Sequence, residues 1–133
     1  MKVWINGDFY DRDQAKASVF DAGFQHGVGL FETMQARGKH VFRLDDHLRR
    51  LHDSARELGL TERLQEQPLA EAVQRTVEEN AFPKTRIRLT LTGGDLNLLT
   101  KDGVSQVDPT ILIVAQPSTP YPEDYFHNGV TVV

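Results

Sequence analysis

Residues 86–92 read Arg-Ile-Arg-Leu-Thr-Leu-Thr, an alternation of polar and apolar side chains that is typical of a half-buried β-strand. Ile87, Leu89 and Leu91 would face a core, and the arginines and threonines would lie on the opposite side of a sheet. Residues 110–115, Thr-Ile-Leu-Ile-Val-Ala, form a continuous apolar run that predicts a second strand, buried on both faces. We expect the rest of the chain to pack around a sheet that contains both strands.

Two β-hairpins are predicted ahead of these strands. Asn6-Gly7 lies between two short apolar runs, and both residues favour the positive φ angles of a type I′ turn. A second hairpin is predicted over residues 30–44, with residues 37–39, Arg-Gly-Lys, at its tip. Between the hairpins, residues 18–29 are rich in glycine and predict an irregular loop folded against the body. In the second hairpin one face would carry Phe31, Thr33 and Gln35, and the other face Leu30, Glu32 and Met34.

Two helices are predicted between the second hairpin and the strand at residues 86–92. Asp45 or Asp46 would cap a helix that stops at Gly59. The second helix has Pro68 in its first turn and ends near residue 80. Their apolar stripes would be Leu48, Leu51, Ala55 and Leu58 in the first helix and Leu69, Ala72, Val73 and Val77 in the second. The element order predicts an α+β fold, a mostly antiparallel sheet with two helices.

The composition argues against several classes of protein. The chain has 133 residues, with 15 Lys+Arg against 19 Asp+Glu and a formal net charge of −4. A negative chain without basic runs does not favour nucleic acid or an anionic membrane as a partner, and no apolar stretch is long enough to span a bilayer. The sequence has no cysteine, which excludes disulfides and thiolate metal sites within it. We expect one domain, or one lobe of something larger, that is soluble and cytoplasmic.

No metal site or phosphate-binding loop is predicted. The histidines lack the spacing of metal ligands and no carboxylates cluster near them; they are His26, His40, His47, His52 and His127. The glycines of residues 23–29 and of Gly93-Gly94 do not match a phosphate-binding motif and are typical of turns.

Two pairs of arginines are candidates for anion binding. Arg49 and Arg50 lie in the first predicted helix, where their spacing from Asp53 and Asp46 favours exposed ion pairs. Alternatively Arg50, which falls beside His47 at the edge of the apolar stripe, presents its guanidinium to a phosphate in a cleft.

Arg86 and Arg88 share one face of a predicted strand. Two neighbouring arginines on a sheet repel each other unless an anion, a carboxylate or solvent lies between them. This face is therefore either solvated or an anion-binding wall, for example for a substrate carboxylate.

Five stretches follow one another at the spacing of a known family. They are Trp-Ile-Asn-Gly at 4–7, Ser-Val-Phe-Asp-Ala-Gly-Phe-Gln-His-Gly-Val-Gly-Leu-Phe-Glu-Thr at 18–33, Val-Phe-Arg-Leu-Asp-Asp-His-Leu-Arg-Arg-Leu at 41–51, His-Asp-Ser-Ala at 52–55 and Arg-Ile-Arg-Leu-Thr-Leu-Thr-Gly-Gly-Asp at 86–95. Together they resemble the N-terminal small lobe of class IV (fold type IV) pyridoxal-phosphate-dependent aminotransferases. That family includes branched-chain and D-amino-acid aminotransferases and aminodeoxychorismate lyase.

The resemblance implies a role for four residues. In the family motif His-x-x-Arg-Leu the arginine binds the phosphate of pyridoxal 5′-phosphate, and that position is Arg50 here. His26 and Phe31 match positions that line the substrate pocket. Arg88 matches an arginine of that pocket in branched-chain-type members, where it can meet a side-chain carboxylate. The substrates implied are an amino acid and a 2-oxo acid, and the intact protein would be a homodimer.

The chain departs from the two best-known family patterns at the substrate positions. His26 stands where branched-chain enzymes usually have Tyr, and residues 33–35 read Thr-Met-Gln where those enzymes have Gly-x-Arg. D-amino-acid enzymes have Val-Thr-Arg-Gly where residues 91–94 read Leu-Thr-Gly-Gly, so their carboxylate-binding arginine is absent. The sequence therefore leaves the substrate open.

The family also needs a lysine that binds the cofactor covalently and a glutamate at its pyridine nitrogen, and both belong to the second lobe. Lys2, Lys16, Lys39, Lys84 and Lys101 match none of these positions. Residues 129–133, Gly-Val-Thr-Val-Val, read as the start of a strand. We therefore expect residues 1–133 to be the N-terminal lobe of a longer enzyme, inactive alone, whose catalytic lysine lies beyond Val133. Two alternatives are a lyase that releases pyruvate from aminodeoxychorismate and a non-catalytic α+β interaction module.

Overall fold

The computed structural model describes residues 1–60, 64–95 and 109–132. Six strands form one sheet in the order β2-β1-β6-β5-β3-β4, and every described strand pair is antiparallel. The strands are β1 (Lys2–Ile5), β2 (Asp8–Asp11), β3 (Gly29–Arg37), β4 (His40–Val41), β5 (Lys84–Thr92) and β6 (Ile111–Pro117), and the helices are α1 (Ala22–His26), α2 (Leu44–Glu57), α3 (Glu66–Asn80) and α4 (Glu123–Asn128). The predicted α+β fold is confirmed.

The core lies between one face of the sheet and helices α2 and α3. Alternation along β5 turns one set of side chains to the helices, and these are fully buried, as predicted: Ile87, Leu89 and Leu91. The helices contribute a buried stripe at helical spacing: Leu48, Leu51 and Ala55 from α2, and Leu69, Ala72, Val73 and Val77 from α3. Neither α2 nor α3 covers the other face of the sheet.

The first hairpin forms as its turn residues require. Asn6 and Gly7 have φ angles of 46° and 111°, and Ile5 pairs with Asp8 across the turn. Asn80 at the end of α3 fixes this hairpin to the helical layer, because its side chain accepts from the Lys2 amide and donates to the Lys2 carbonyl, each at 2.9 Å.

Strand β3 forms an edge of the sheet along most of its length. Its second partner, β4, pairs only with Ala36 and Arg37, and the amide of Phe42 adds one bond to Gln35. Residues 29–34 therefore have a strand neighbour on one side only, which is β5. This open edge separates the helix-covered face of the sheet from the uncovered face.

Two predicted elements differ from the structure in their ends or burial. Strand β6 was predicted to be buried on both faces, but Leu112 and Val114 are only half-buried because they lie on the face opposite to α2 and α3. The residue that caps α2 is Arg43, in the left-handed conformation, whereas Asp45 and Asp46 lie in the first turn. Leu58, predicted to lie on the apolar stripe of α2, is 61% exposed, whereas the predicted stop of α2 at Gly59 is confirmed by the positive φ angle of that glycine, 63°.

Two short helices replace predicted irregular or extended structure. Helix α1 forms inside the stretch predicted to be an irregular loop, because the Asp21 side chain caps it by accepting from the Gly23 amide. Residues 129–132 are not in a strand, and α4 precedes them. Residues 96–108 of the predicted loop between β5 and β6, including Lys101, and the last residue, Val133, lie outside the described residues.

Adjacent residues of β3 provide a test of which face is the core. Met34 is buried against the helices and Gln35 is exposed on the other face. We expect Met34→Ala to lower the free energy of unfolding by about 2–5 kcal/mol, because it leaves a cavity in the core. Gln35→Ala should change it by no more than about 0.5 kcal/mol. Urea denaturation of the two variants measures both values, and similar losses would contradict this assignment of faces.

Candidate functional site

A buried carboxylate on β3 contacts two side chains of α2, an arginine and a histidine. Glu32 exposes only 5% of its side chain. Its Oε1 accepts a hydrogen bond from Arg50 Nε at 2.7 Å, and its Oε2 accepts a second one from Arg50 Nη2. The same Oε2 lies 2.7 Å from Nδ1 of His47, which donates to it. The three side chains thus form one ion-paired cluster.

The periodicity of the two elements brings these residues together. Strand alternation turns Glu32 to the helix side of β3, whereas its sequence neighbours Phe31 and Thr33 are exposed on the opposite side. His47 and Arg50 are three residues apart on α2, so they lie on the same side of the helix. The buried stripe of α2 holds this side against β3.

Glu32 and Arg50 keep their charges at neutral pH. Burial alone raises the pKa of the Glu32 carboxyl, but the hydrogen bonds and positive charges of Arg50 and His47 outweigh it, and the pKa lies below its usual value. The hydrogen bond and the charge of Glu32 in turn raise the pKa of Arg50. The site therefore presents a guanidinium that is permanently charged.

Acid should weaken the fold partly through Glu32. Because the pKa of Glu32 is lower in the folded state, its stabilisation is present above about pH 4.3, the unfolded value, and is lost as the pH falls through the folded value. We expect the free energy of unfolding to fall less between pH 5 and pH 3 in Glu32→Gln than in the wild type. Urea denaturation at a series of pH values measures this difference. Parallel curves would contradict the assigned charge of Glu32.

Part of the Arg50 guanidinium remains available to a ligand. An arginine has five N–H donors, and Glu32 uses the one on Nε and one of the two on Nη2. The other three, on Nη1 and Nη2, form the fork at the end of the side chain. The Arg50 side chain is 67% exposed. A fork of N–H donors on a fixed cation is suited to two oxygens of a phosphate or carboxylate.

The ion pairs predicted within α2 are not the ones that form. Asp46 was expected to pair with Arg50, and Asp53 with Arg49. Asp46 instead accepts from Arg43 at 2.6 Å and lies 3.5 Å from Arg49. Both pairs join residues three apart, and Arg50 pairs with Glu32 instead. The interpretation of Arg50 as one half of an exposed helical ion pair was wrong.

Phe31 and Arg88 meet on the other face of the sheet. The guanidinium carbon of Arg88 lies 3.2 Å from the centre of the Phe31 ring, a cation–π contact. Its Nη1 donates to the Thr33 hydroxyl at 3.2 Å, across the β3–β5 pair. Among the residues that the structure describes, neither Arg88 nor Arg86 has a carboxylate partner. The side chain of Arg88 is thus fixed by Phe31 and Thr33 on a sheet face that α2 and α3 do not cover.

The four predicted site residues therefore fall into separate groups. Arg50 lies on the helix side of β3, whereas Phe31 and Arg88 lie together on the opposite side. His26 is the exposed last residue of α1, three positions before β3 begins. A single ligand could contact both groups only by lying along the open edge of β3.

Asp21 anchors the segment that carries His26, and sequence reasoning did not single it out. Its carboxylate is 3% exposed and accepts from the Gly23 amide, from the Thr92 hydroxyl at 2.8 Å and from the Thr110 hydroxyl at 2.7 Å. It thereby ties α1 to one end of β5 and to the residue before β6. Asp21 precedes Ala22-Gly-Phe as an N-cap would, which is the signal that could have found it.

Two other features are absent from the described part of the chain. It contains no group of three or more His, Asp or Glu placed to hold a metal ion. None of its helices is long and apolar enough to cross a membrane.

Comparison with known proteins gives the family. Residues 29–133 match the family described as Amino-transferase class IV. This match covers well over half of the sequence and includes β3, α2 and both candidate arginines.

The chain belongs to the class IV aminotransferases.

Individual class IV aminotransferases are similar over nearly the whole chain. A Methanocaldococcus jannaschii protein named "Putative branched-chain-amino-acid aminotransferase" is 38% identical over 122 residues, 90% of this chain and 41% of that protein. A D-alanine aminotransferase of Staphylococcus aureus (strain N315) is 28% identical over 132 residues, 99% of this chain and 46% of that protein. The crystal structure of a T.th. branched-chain amino acid aminotransferase with pyridoxamine 5′-phosphate superposes with a TM-score of 0.76 at 25% identity, covering 88% of this chain and 40% of that chain.

The chain spans less than half the length of these class IV relatives. It matches the small lobe of their α+β fold. Glu32 and His47, which sequence reasoning quoted only as parts of motifs, are the members of the Arg50 cluster that it did not recognise. Their contact with Arg50 joins two elements that are distant in the chain, and local periodicity carries no signal for such a contact.

Proposed function

We propose that this chain is the N-terminal lobe of a pyridoxal-phosphate-dependent aminotransferase that transfers an amino group between a branched-chain-like amino acid and a 2-oxo acid. The observation that carries the proposal is the guanidinium of Arg50, which is fixed by Glu32 and keeps a fork of N–H donors for an anion. The catalytic lysine belongs to a second lobe that follows this chain.

The residues around Arg50 suit a phosphate group. A phosphate dianion needs a permanent cation with paired donors, and Arg50 offers both. His47 adds a third polar side chain next to the guanidinium, with its Nδ1 lying 3.4 Å from Nη2. Both oxygens of the only carboxylate in this cluster, that of Glu32, already accept hydrogen bonds from Arg50 and His47, and burial shields the group.

The other candidate residues suit the substrate. Pyridoxal 5′-phosphate, when bound, supplies an electron sink for the bond changes at the amino acid's α-carbon. Phe31 offers an exposed ring for an apolar side chain, and Arg88 offers a cation for a side-chain carboxylate. His26 lies on the segment that leads into β3. The substrate would lie along the open edge of β3, within reach of both faces.

The second lobe and a partner subunit would complete this site. The uncovered face of the sheet exposes apolar and cationic side chains that a single lobe leaves in solvent, such as Phe31 and Arg86. We place the intact enzyme in the cytoplasm as a homodimer, as the resemblance to the family implies. Neither nucleic acid nor a membrane is part of the proposal.

The test uses the full-length protein, with the second lobe present. Titration with pyridoxal 5′-phosphate should give the visible absorbance of the bound cofactor, and amino transfer from branched-chain amino acids should depend on added 2-oxo acid. Pyruvate release from aminodeoxychorismate without a 2-oxo acid would instead identify the lyase. A protein that binds no cofactor would contradict both enzymes and favour an interaction module.

A further inference from the structure

We propose that Glu32 is a positioning residue for the cofactor phosphate, which it never touches: it holds Arg50 by the Nε edge and so aims the terminal fork at the phosphate. This inference rests on the proposed function, in which Arg50 binds that phosphate. It assigns to the buried carboxylate a role in ligand affinity beyond that of an ion pair in the fold.

The contact pattern on the guanidinium carries the inference. Both Glu32 oxygens contact one edge of the Arg50 group, the edge formed by Nε and Nη2. Two parallel hydrogen bonds fix the plane of a guanidinium as well as its distance. The opposite edge, formed by Nη1 and Nη2, then has one orientation relative to α2. A phosphate that arrives there meets donors that need no further ordering.

The surroundings of Glu32 make this orientation rigid. Its side chain is almost entirely buried on a strand, whereas that of Arg50 is mostly exposed on a helix. The carboxylate of Glu32 is therefore fixed within the packed layer, and the guanidinium of Arg50 that it holds extends towards solvent. His47 contacts the same carboxylate oxygen as Nη2 and limits rotation of the carboxylate.

If Glu32 competed with the phosphate for Arg50, removing its charge would change the phosphate affinity in the opposite direction. The affinity would increase, because a negative group near the site would be gone. If Glu32 positions Arg50, removing its charge should decrease that affinity, since a long side chain regains its rotamers. The direction of the change therefore separates the two roles.

The experiment is a double-mutant cycle in the full-length protein, read by calorimetric titration of the apoprotein with pyridoxal 5′-phosphate and with pyridoxal. Glu32→Gln should weaken pyridoxal 5′-phosphate binding about tenfold or more. In an Arg50→Ala background the same change should have an effect of about twofold or less, because its effect passes through Arg50. Pyridoxal, which lacks the phosphate, should bind equally to Glu32→Gln and to the wild type.

Other outcomes overturn the proposal. Tighter binding by Glu32→Gln would make Glu32 a competitor, and equal losses in both backgrounds, or equal losses for pyridoxal, would make its role purely structural. If Glu32→Gln does not fold, Glu32→Asp replaces it: the charge stays but the oxygens withdraw by about 1.5 Å, and unchanged affinity would overturn the inference. If Arg50→Ala binds pyridoxal 5′-phosphate as tightly as the wild type, the phosphate site itself is wrong. If Arg50→Ala loses affinity as expected but Glu32→Gln does not, only the positioning role of Glu32 is wrong.

Discussion

Arg50→Ala is expected to weaken the binding of pyridoxal 5′-phosphate to the full-length protein by about 10- to 100-fold. The substitution removes the terminal fork, and with it the charge-assisted hydrogen bonds that we assign to the phosphate. It should leave pyridoxal binding within about threefold of the wild type, since pyridoxal has no phosphate. Titration of both compounds, with the absorbance of the bound cofactor as the signal, measures the two affinities.

The neighbouring arginine provides the matched control. Arg49 has a similarly exposed side chain on the same turn of α2, but its charge faces Asp46 and not Glu32. Arg49→Ala removes the same charge and the same volume, so a general loss of positive potential would affect both variants alike. Equal losses in the two variants would contradict a specific role for Arg50.

Arg88→Met is expected to change which substrates the full-length enzyme accepts. We expect kcat/KM to fall by about 10- to 100-fold for amino or 2-oxo acids with a side-chain carboxylate, because their buried charge loses its partner. For substrates with apolar side chains of similar size the change should stay within about threefold. Methionine keeps most of the length and apolar surface of the arginine, so the Phe31 ring retains a packing partner. Steady-state kinetics with matched pairs of substrates give the ratio.

Arg86→Met is the control for Arg88. Both residues lie on the same face of β5, but only Arg88 stacks on Phe31 and bonds to Thr33. If the face acts only through its overall charge, the two variants will lose the same activity on acidic substrates. If Arg88 makes a specific contact with the substrate, Arg86→Met will keep most of the wild-type activity on acidic substrates. A loss of activity on acidic substrates in Arg86→Met alone would show that Arg86, and not Arg88, contacts the substrate carboxylate.

The sequence predicted the parts of the fold that depend on local periodicity. The alternation at residues 86–92 gave the buried side of β5, and Asn6-Gly7 gave the first turn, because both features are set by residues close in the chain. The stop of α2 at Gly59 was also predicted correctly, because a glycine with a positive φ angle ends the helix there. The burial of Leu58 was not: it continues the apolar stripe in the sequence but is 61% exposed, since burial depends on what packs against a residue and not on its spacing alone.

The burial of β6 shows a second limit. Its apolar run is identical whether one face or both are covered, because coverage depends on what packs there. In this chain α2 and α3 lie on one face only, so Leu112 and Val114 on the other face remain half-buried. The run is what a strand would need if a further layer, such as another lobe, packs on that face.

The candidate site depended most on tertiary contacts. Family resemblance identified Arg50, but periodicity assigned it to Asp46, since the partners that helical spacing indicates are residues three or four apart on the same helix. The actual partner, Glu32, lies 18 residues away on another element. Likewise Phe31 and Arg88 could be assigned to one sheet face, whereas their stacking and their separation from Arg50 required the packed structure.

The most direct test of the account is a crystal structure of the full-length protein with pyridoxal 5′-phosphate bound. We expect phosphate oxygens at about 2.7–2.9 Å from Nη1 or Nη2 of Arg50, with Glu32 still on the Nε edge and the ring reaching the edge of β3. A phosphate bound by other residues, with the Arg50 fork in solvent, would contradict the account.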